Sequence, residues 1–153
     1  MYISVIGAGQ CDDKIYGIAY EVGKLIAQRG AILVCGGLGG VMEAACKGAK
    51  SAGGLTVGIL PTEERHANSY VDVAIPTGMG EARNALVVRA GQVVIAIGGE
   101  FGTLSEIGLA LKMGKSVVGI GTWELKKEGK PVEAIILAKN PQEAVGKAFL
   151  LAR

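Results

Sequence analysis

Histidine occurs once in the 153 residues, cysteine three times, proline four times, and aromatic residues make up only 5% of the chain. His66 alone, with Cys11, Cys35 and Cys46 never paired at short spacing, cannot assemble a Cys/His zinc set, so no metal site is expected. The odd thiol count also argues against a disulfide framework. Sixteen Lys and Arg stand against 14 Asp and Glu, a formal charge of +2, and no basic block interrupts the pattern. A groove tracking a nucleic-acid backbone needs clustered cations, so nucleic acid is not expected as a partner. No apolar run approaches the 18 or so residues of a membrane span, and the opening Met-Tyr-Ile-Ser-Val-Ile-Gly-Ala-Gly lacks a basic n-region. A soluble, cytoplasmic protein without membrane contact is the expectation. Two phosphate-binding fingerprints are missing as well. There is no G-x-x-x-x-G-K-[ST], and after Gly7 and Gly9 the third glycine of G-x-G-x-x-G is replaced by Asp12, whose charge would repel a pyrophosphate.

What is present is glycine, 25 residues, about twice the usual share near 7%, within a chain that is 50% hydrophobic. It follows no three-residue period and does not dilute the apolar content, which excludes collagen and disorder. The length suits one compact domain over residues 1–153. Nearly continuous β-branched runs at Tyr2 to Ile6, Ala31 to Cys35, Leu55 to Leu60, Val71 to Ile75, Gln92 to Ile97, Ser116 to Ile120 and Ala134 to Ala138 read as strands buried on both faces. Ile15, Ile18, Ala19, Val22, Leu25 and Ile26 fall on one helical face, with Asp12 or Asp13 as cap. Further helices are predicted over Val41 to Ser51, Gly80 to Ala90, Thr103 to Met113 and Pro141 to Leu151. Crossovers of this length make the strands parallel and put helices on both sides: a doubly wound, mainly parallel α/β sheet, strand order near 3-2-1-4-5-6 with an added edge strand. The polar stretch Pro61 to Ser69 is a surface loop, either a lid or a connection.

Ligands of such folds bind beyond the carboxyl ends of the strands, where the glycines cluster. One loop is Gly7-Ala8-Gly9-Gln10-Cys11, read equally well as a tight turn or a ligand contact. The second holds Gly36, Gly37, Gly39 and Gly40 before a helix, and packing competes evenly there with ligand contact. The third holds Gly98, Gly99, Gly102 and Thr103. Exposed amides and a helix N-terminus at such loops suit a phosphate-bearing ligand. Glu43 reads as a solvated first-turn carboxylate, His66 and Asn68 as loop residues outside the site, and Cys35 and Cys46 as small core residues. Cys11, near a helix start, is a candidate for a lowered thiol pKa.

Arg83-Asn84, the strand Val93 to Ile97 and then Gly98-Gly99-Glu100-Phe101-Gly102-Thr103-Leu104-Ser105-Glu106 together resemble the LOG family, whose pattern is an Arg-Lys pair followed by P-G-G-x-G-T-x-x-E. Gly98, Glu100 and Asn84 depart from that pattern, and the combination with Glu81-Ala82-Arg83-Asn84 is more similar to the molybdenum cofactor carrier proteins, a sister branch. The resemblance implies a Rossmann-like fold and a homodimer or homotetramer. It also implies a bound nucleoside monophosphate or phosphopterin molybdenum cofactor, with no resident cofactor required. The enzymes of the LOG branch are phosphoribohydrolases that split a nucleoside 5′-monophosphate into free base and ribose 5-phosphate, and the carrier branch implies binding without turnover. A pyridoxal-dependent lysine decarboxylase, a label often attached to both branches, has no chemical support here.

Carried over from the resemblance, the catalytic residues of the enzyme alternative fall on Arg83 and Glu106, and the phosphate contacts on Gly99, Gly102 and Thr103. An arginine would hold the phosphate or ribose while a carboxylate stabilises the positive charge that builds on the sugar. Thr103-Leu104-Ser105-Glu106 is equally a capping box, in which Thr103 and Glu106 bond each other's backbone amides. Arg83 in the first turn of a helix opposes the dipole and needs a compensating anion. For a base or pterin ring, Phe101, Tyr70 and Trp123 are the available aromatics; Phe101 is best placed, and packing under the loop is its alternative role.

Overall fold

The computed structural model describes residues 1–152. The chain runs β1 (Tyr2–Gly7), α1 (Asp13–Gln28), β2 (Ile32–Cys35), α2 (Val41–Ser51), β3 (Thr56–Leu60) and β4 (Val73–Pro76). A 3-10 turn (Gly80–Arg83) leads into α3 (Asn84–Ala90), β5 (Val93–Ile97), α4 (Phe101–Lys112) and β6 (Ser116–Ile120). A hairpin of β7 (Leu125–Lys127) and β8 (Lys130–Val132) precedes β9 (Ile135–Leu137) and α5 (Pro141–Leu151). Seven strands form one parallel sheet in the order β4-β3-β2-β1-β5-β6-β9. Without β4 and the hairpin this is the 3-2-1-4-5-6 arrangement, so β4 is the added edge strand, and the fold is Rossmann-like α/β.

Alternation along the buried strands assigns the two helical layers. Ile3, Val5, Leu33, Cys35, Val93, Ile95 and Ile97 enter one core with Ala19, Val22 and Ile26 of α1, Ala45 of α2 and Val145 of α5. Ile6, Val34, Val94, Ala96 and Val117 enter the other with Val87 and Val88 of α3 and Ile107 and Ala110 of α4. Side chains of successive residues point to opposite faces, so a strand covered on both sides has no polar face to show. Ser4 is the exception in β1, and its hydroxyl donates to the Val87 carbonyl at 2.6 Å, which removes the cost of burying it.

Helix α1 begins as its sequence dictates. Asp12 adopts extended backbone angles and its Oδ1 accepts from the Ile15 amide at 2.8 Å. Asp12→Ala should lower unfolding stability by about 1 kcal/mol, read by chemical denaturation, because one orphan amide loses its acceptor. Several elements differ from expectation: the strand read as buried on both faces over 71–75 is the edge strand β4, with Val73 and Ile75 exposed, and the β7–β8 hairpin is additional. The helix predicted over residues 80–90 is split into a 3-10 turn ending at Arg83 and a short α3 from Asn84. Helix α4 starts at Phe101, two residues before the predicted start.

Candidate functional site

The point at which strand order reverses lies between β1 and β5, and a pocket of about 230 Å³ opens at their carboxyl ends. Its floor is Val5, Ile6 and Gly7 of β1 with Ala8 and Gly9. Gly36 and Met42 come from the second loop and α2, Arg83 from the end of the 3-10 turn, and Glu100, Gly102, Thr103 and Glu106 from the start of α4. The structure thus brings together Gly36, Arg83, Gly102, Thr103 and Glu106.

The other expected glycines stand outside the pocket lining. Gly40 has φ +60, and a Cβ there would press into the Ala8 carbonyl oxygen, so this position requires glycine to let the first and second loops touch. The Val41 amide, first of α2, donates to Ala8 O at 3.0 Å. Gly39 approaches Gly9, and Gly37 packs over Leu60 and Gly58 while its carbonyl accepts from the Asn68 amide at 2.9 Å. For Gly37, Gly39 and Gly40, packing explains the glycines. Gly98 ends β5, its amide donating to Ile120 O and its carbonyl accepting from the Thr122 hydroxyl. Gly99 has φ +98 with the Thr103 side chain where a Cβ would be. These two turn the chain so sharply that α4 starts at once.

That early start overturns the capping box. Glu100 is the N-cap residue and makes no side-chain cap bond, so Thr103 sits in the first turn and Glu106 in the second. With the cap displaced, both side chains are buried and face the pocket. The first backbone bond of α4 is Leu104 N to Glu100 O, leaving the amides of Phe101, Gly102 and Thr103 without an intrahelical acceptor. Helix dipole and free amides make this end of α4 attractive to an anion.

Arg83 is 8% exposed. Its Nη2 donates to Gly36 O at 3.3 Å, its Nη1 donates to Asn84 Oδ1, and its Nε has no partner. Among the described residues no carboxylate lies within 4.0 Å of it. Burial lowers its pKa, opposed first by Glu106 and then by Cys35 and Glu81. Asn84 is therefore a second-tier contributor that the sequence pattern showed only as a departure. Glu106, also 8% exposed, is pushed up to about 7 by burial, with the Arg83 charge pulling the other way. A buried cation lacking an ion pair and a carboxyl that burial biases toward its neutral form, lining one pocket, form a site that an anion would complete.

Residues set aside earlier also find places. Asn68 donates to Leu38 O at 2.8 Å and accepts from the Tyr70 amide, pinning residues 61–72 to the second loop, while His66 is exposed. The Glu43 carboxylate lies within reach of the Tyr16 hydroxyl at 3.4 Å. Cys35 and Cys46 are buried with sulfurs 3.5 Å apart. The Cys11 thiol is not activated: burial raises its pKa, and Asp12, Asp13 and Glu43 raise it further. Phe101 is 77% exposed and does not pack under the loop. Gly7, Ala8 and Met42 were not singled out as site residues; the only available signal was the first glycine loop.

Comparison with known proteins agrees with the fold. Residues 1–145 match the SLOG cluster4 family (LDcluster4). An uncharacterized protein of Archaeoglobus fulgidus is 49% identical over 145 residues, which cover 95% of this chain and 92% of that protein. Among solved structures, the molybdenum cofactor binding protein of the phototrophic bacterium Rippkaea orientalis superposes with a TM-score of 0.88 at 36% identity, covering 99% of this chain and 97% of the other. The molybdenum cofactor carrier protein of Chlamydomonas reinhardtii gives 0.86 at 36% identity, covering 98% and 97%.

Proposed function

The chain belongs to the SLOG cluster4 family, and from that premise we propose that it binds and carries a small phosphorylated ligand, of the phosphopterin or nucleoside monophosphate class, in the pocket between β1, β5 and α4. The observation that carries the reading is Arg83, a buried cation without an ion pair, set in the same pocket as the free first-turn amides of α4. A phosphate monoester supplies the missing negative charge and acceptor oxygens for both. Two solved proteins similar to it in overall structure are a molybdenum cofactor binding protein and a molybdenum cofactor carrier protein, which favours a phosphopterin. The pocket fits the phosphate end of such a molecule: 230 Å³ is below the roughly 300 Å³ at which whole drug-sized ligands are enclosed.

One observation favours a second reading. Glu106, held near 7 on the pocket wall, suits proton transfer and charge stabilisation at neutral pH, as a phosphoribohydrolase would need. Incubation with AMP and neopterin monophosphate, followed by chromatography for free base and by melting curves, separates the two. Carriage predicts no released base and a raised melting temperature, since a ligand at 100 times its dissociation constant adds about 2.7 kcal/mol. Base release that Glu106→Ala abolishes would establish the enzyme instead. Assembly as a homodimer or homotetramer belongs to the same proposal. Val73 and Ile75, exposed on the edge strand β4, offer an apolar border for it, and light scattering gives the subunit number.

A further inference from the structure

Phe101 is the most exposed of the large hydrophobic side chains on the described surface, and in the chain it lies between Glu100 and Gly102, both of which line the cavity, while its own side chain stands outside that lining and Trp123 borders a neighbouring cavity. Its ring centroid lies 5.8 Å from that of Trp123, tilted by 30°. Trp123 is in turn fixed by its Nε1, which donates to Glu100 O at 3.1 Å, so the indole is tied to the residue that caps α4. A side chain of this area left in water has a cost, and the contact with Trp123 still leaves it 77% exposed. We propose that Phe101 and Trp123 form an aromatic platform that receives the flat heteroaromatic ring of the ligand whose phosphate occupies the pocket.

The inference rests on the anion-pocket reading and adds the recognition of the ring. The pocket, about 230 Å³ and open to solvent at its mouth, has room for a phosphate with its adjoining sugar or pyran carbons, which leaves a bicyclic ring attached to them free to reach the rim beside Phe101. Phe101 begins the helix turn whose amides would face the phosphate, which fixes the platform and the anion site to one rigid element. Trp123 holds Phe101 from one side by an aromatic contact and leaves most of the phenyl surface open. Purines and pterins both present a π-face to such a surface, and stacking of this kind is tolerant of ring identity while excluding ligands that lack a ring. Glu100, exposed beside Phe101, is able to accept hydrogen bonds from ring amino groups, a role its charge suits better than contact with phosphate.

Trp123 is the single tryptophan of the chain, which makes the platform directly observable. Ribose 5-phosphate, AMP and neopterin monophosphate are titrated into wild type, Phe101→Ala and Phe101→Tyr, following indole emission for the first two and calorimetry for all three. AMP should change Trp123 emission where ribose 5-phosphate does not. Phe101→Ala should weaken AMP and neopterin monophosphate about tenfold or more while leaving ribose 5-phosphate unchanged, and Phe101→Tyr should restore wild-type affinity. Equal weakening of all three probes, or of none, overturns the platform and leaves the anion pocket standing. Failure of every probe to bind wild type removes both together. A change of mass by light scattering in Phe101→Ala, with the relative affinities intact, would make Phe101 a subunit contact and also overturn the proposal.

Discussion

Arg83→Met will weaken binding of ribose 5-phosphate and AMP by about 30-fold or more, because removing one partner of a buried charged contact costs about 2–5 kcal/mol. The free protein should respond in the opposite way. Arg83 is buried, makes no ion pair within 4.0 Å among the described residues, and leaves its Nε without an acceptor. Replacing such a charge by a side chain of similar volume is often neutral or stabilising, by about 1–4 kcal/mol, and here the Gly36 carbonyl that loses its donor offsets part of that gain. The combined signature is an unchanged or higher melting temperature without ligand and little further rise with it. A structural role for Arg83 predicts the reverse, a lower melting temperature with ligand affinity intact, and that result would move the binding site elsewhere. Arg83→Lys separates charge from geometry. The ammonium keeps the charge, but it cannot span both Gly36 O and Asn84 Oδ1 as the guanidinium does, so an intermediate loss is expected.

Much of the architecture was legible because burial on both faces forces the strands to be uninterrupted apolar runs. Val93 to Ile97 is buried throughout, and its limits in the sequence and in the structure agree to within a residue. The β7–β8 hairpin was not legible for the complementary reason. Its strands, Leu125–Lys127 and Lys130–Val132, are short, mostly exposed and carry Pro131, so neither alternation nor hydrophobicity marks them. The turn signal was present but atypical: Glu128 and Gly129 both have positive φ, and glutamate replaces the Asn or Asp that usually announces such a turn.

Glycine misled at the second loop. Gly37, Gly39 and Gly40 resemble a ligand cradle in sequence, yet they mediate the contacts of the second loop with Leu60, Gly9 and Ala8. Gly23 and Gly48, inside α1 and α2, let the two helices pack backbone against backbone, since a Cβ at either would run into Ala45 O or Tyr20 O, a role with no signal in the sequence. The same glycine-rich run can serve anion or packing, and only the direction taken by the next helix separates them. At α4 that direction was set by Gly98 and Gly99, which moved the helix start to Phe101 and converted a capping pair into pocket walls. Arg83 and Glu106 were identified by residue type within a motif; that one lacks a counter-ion and the other an acceptable solvent environment is a property of burial, which the motif does not encode.

Glu106→Gln should abolish a fall in stability that wild type shows between about pH 4.5 and pH 7. The folded-state pKa, raised to about 7 by burial, exceeds the ordinary value of 4.5. Between those values the folded protein holds a proton that the unfolded chain has released, so unfolding free energy declines as pH rises through this window and is level above it. The 2.5-unit separation corresponds to about 3 kcal/mol. The lowered pKa values of Asp72 and Glu143 act with the opposite sign, losing stability only as pH falls toward and below 4, so they leave the upper window to Glu106. The charged group bearing on Glu106 there is Arg83, which favours its ionised form. Ligand binding follows the same titration. An ionised Glu106 repels a phosphate in the pocket, so the ratio of Glu106→Gln to wild-type affinity for ribose 5-phosphate should grow from pH 6 to pH 8. The ratio cancels the ligand's own second ionisation near 6. Denaturant curves at pH 5 and pH 8 that run parallel in the two proteins would mean that Glu106 is solvated and stays ionised, and the proton-transfer role that the hydrolase reading gives it would be lost.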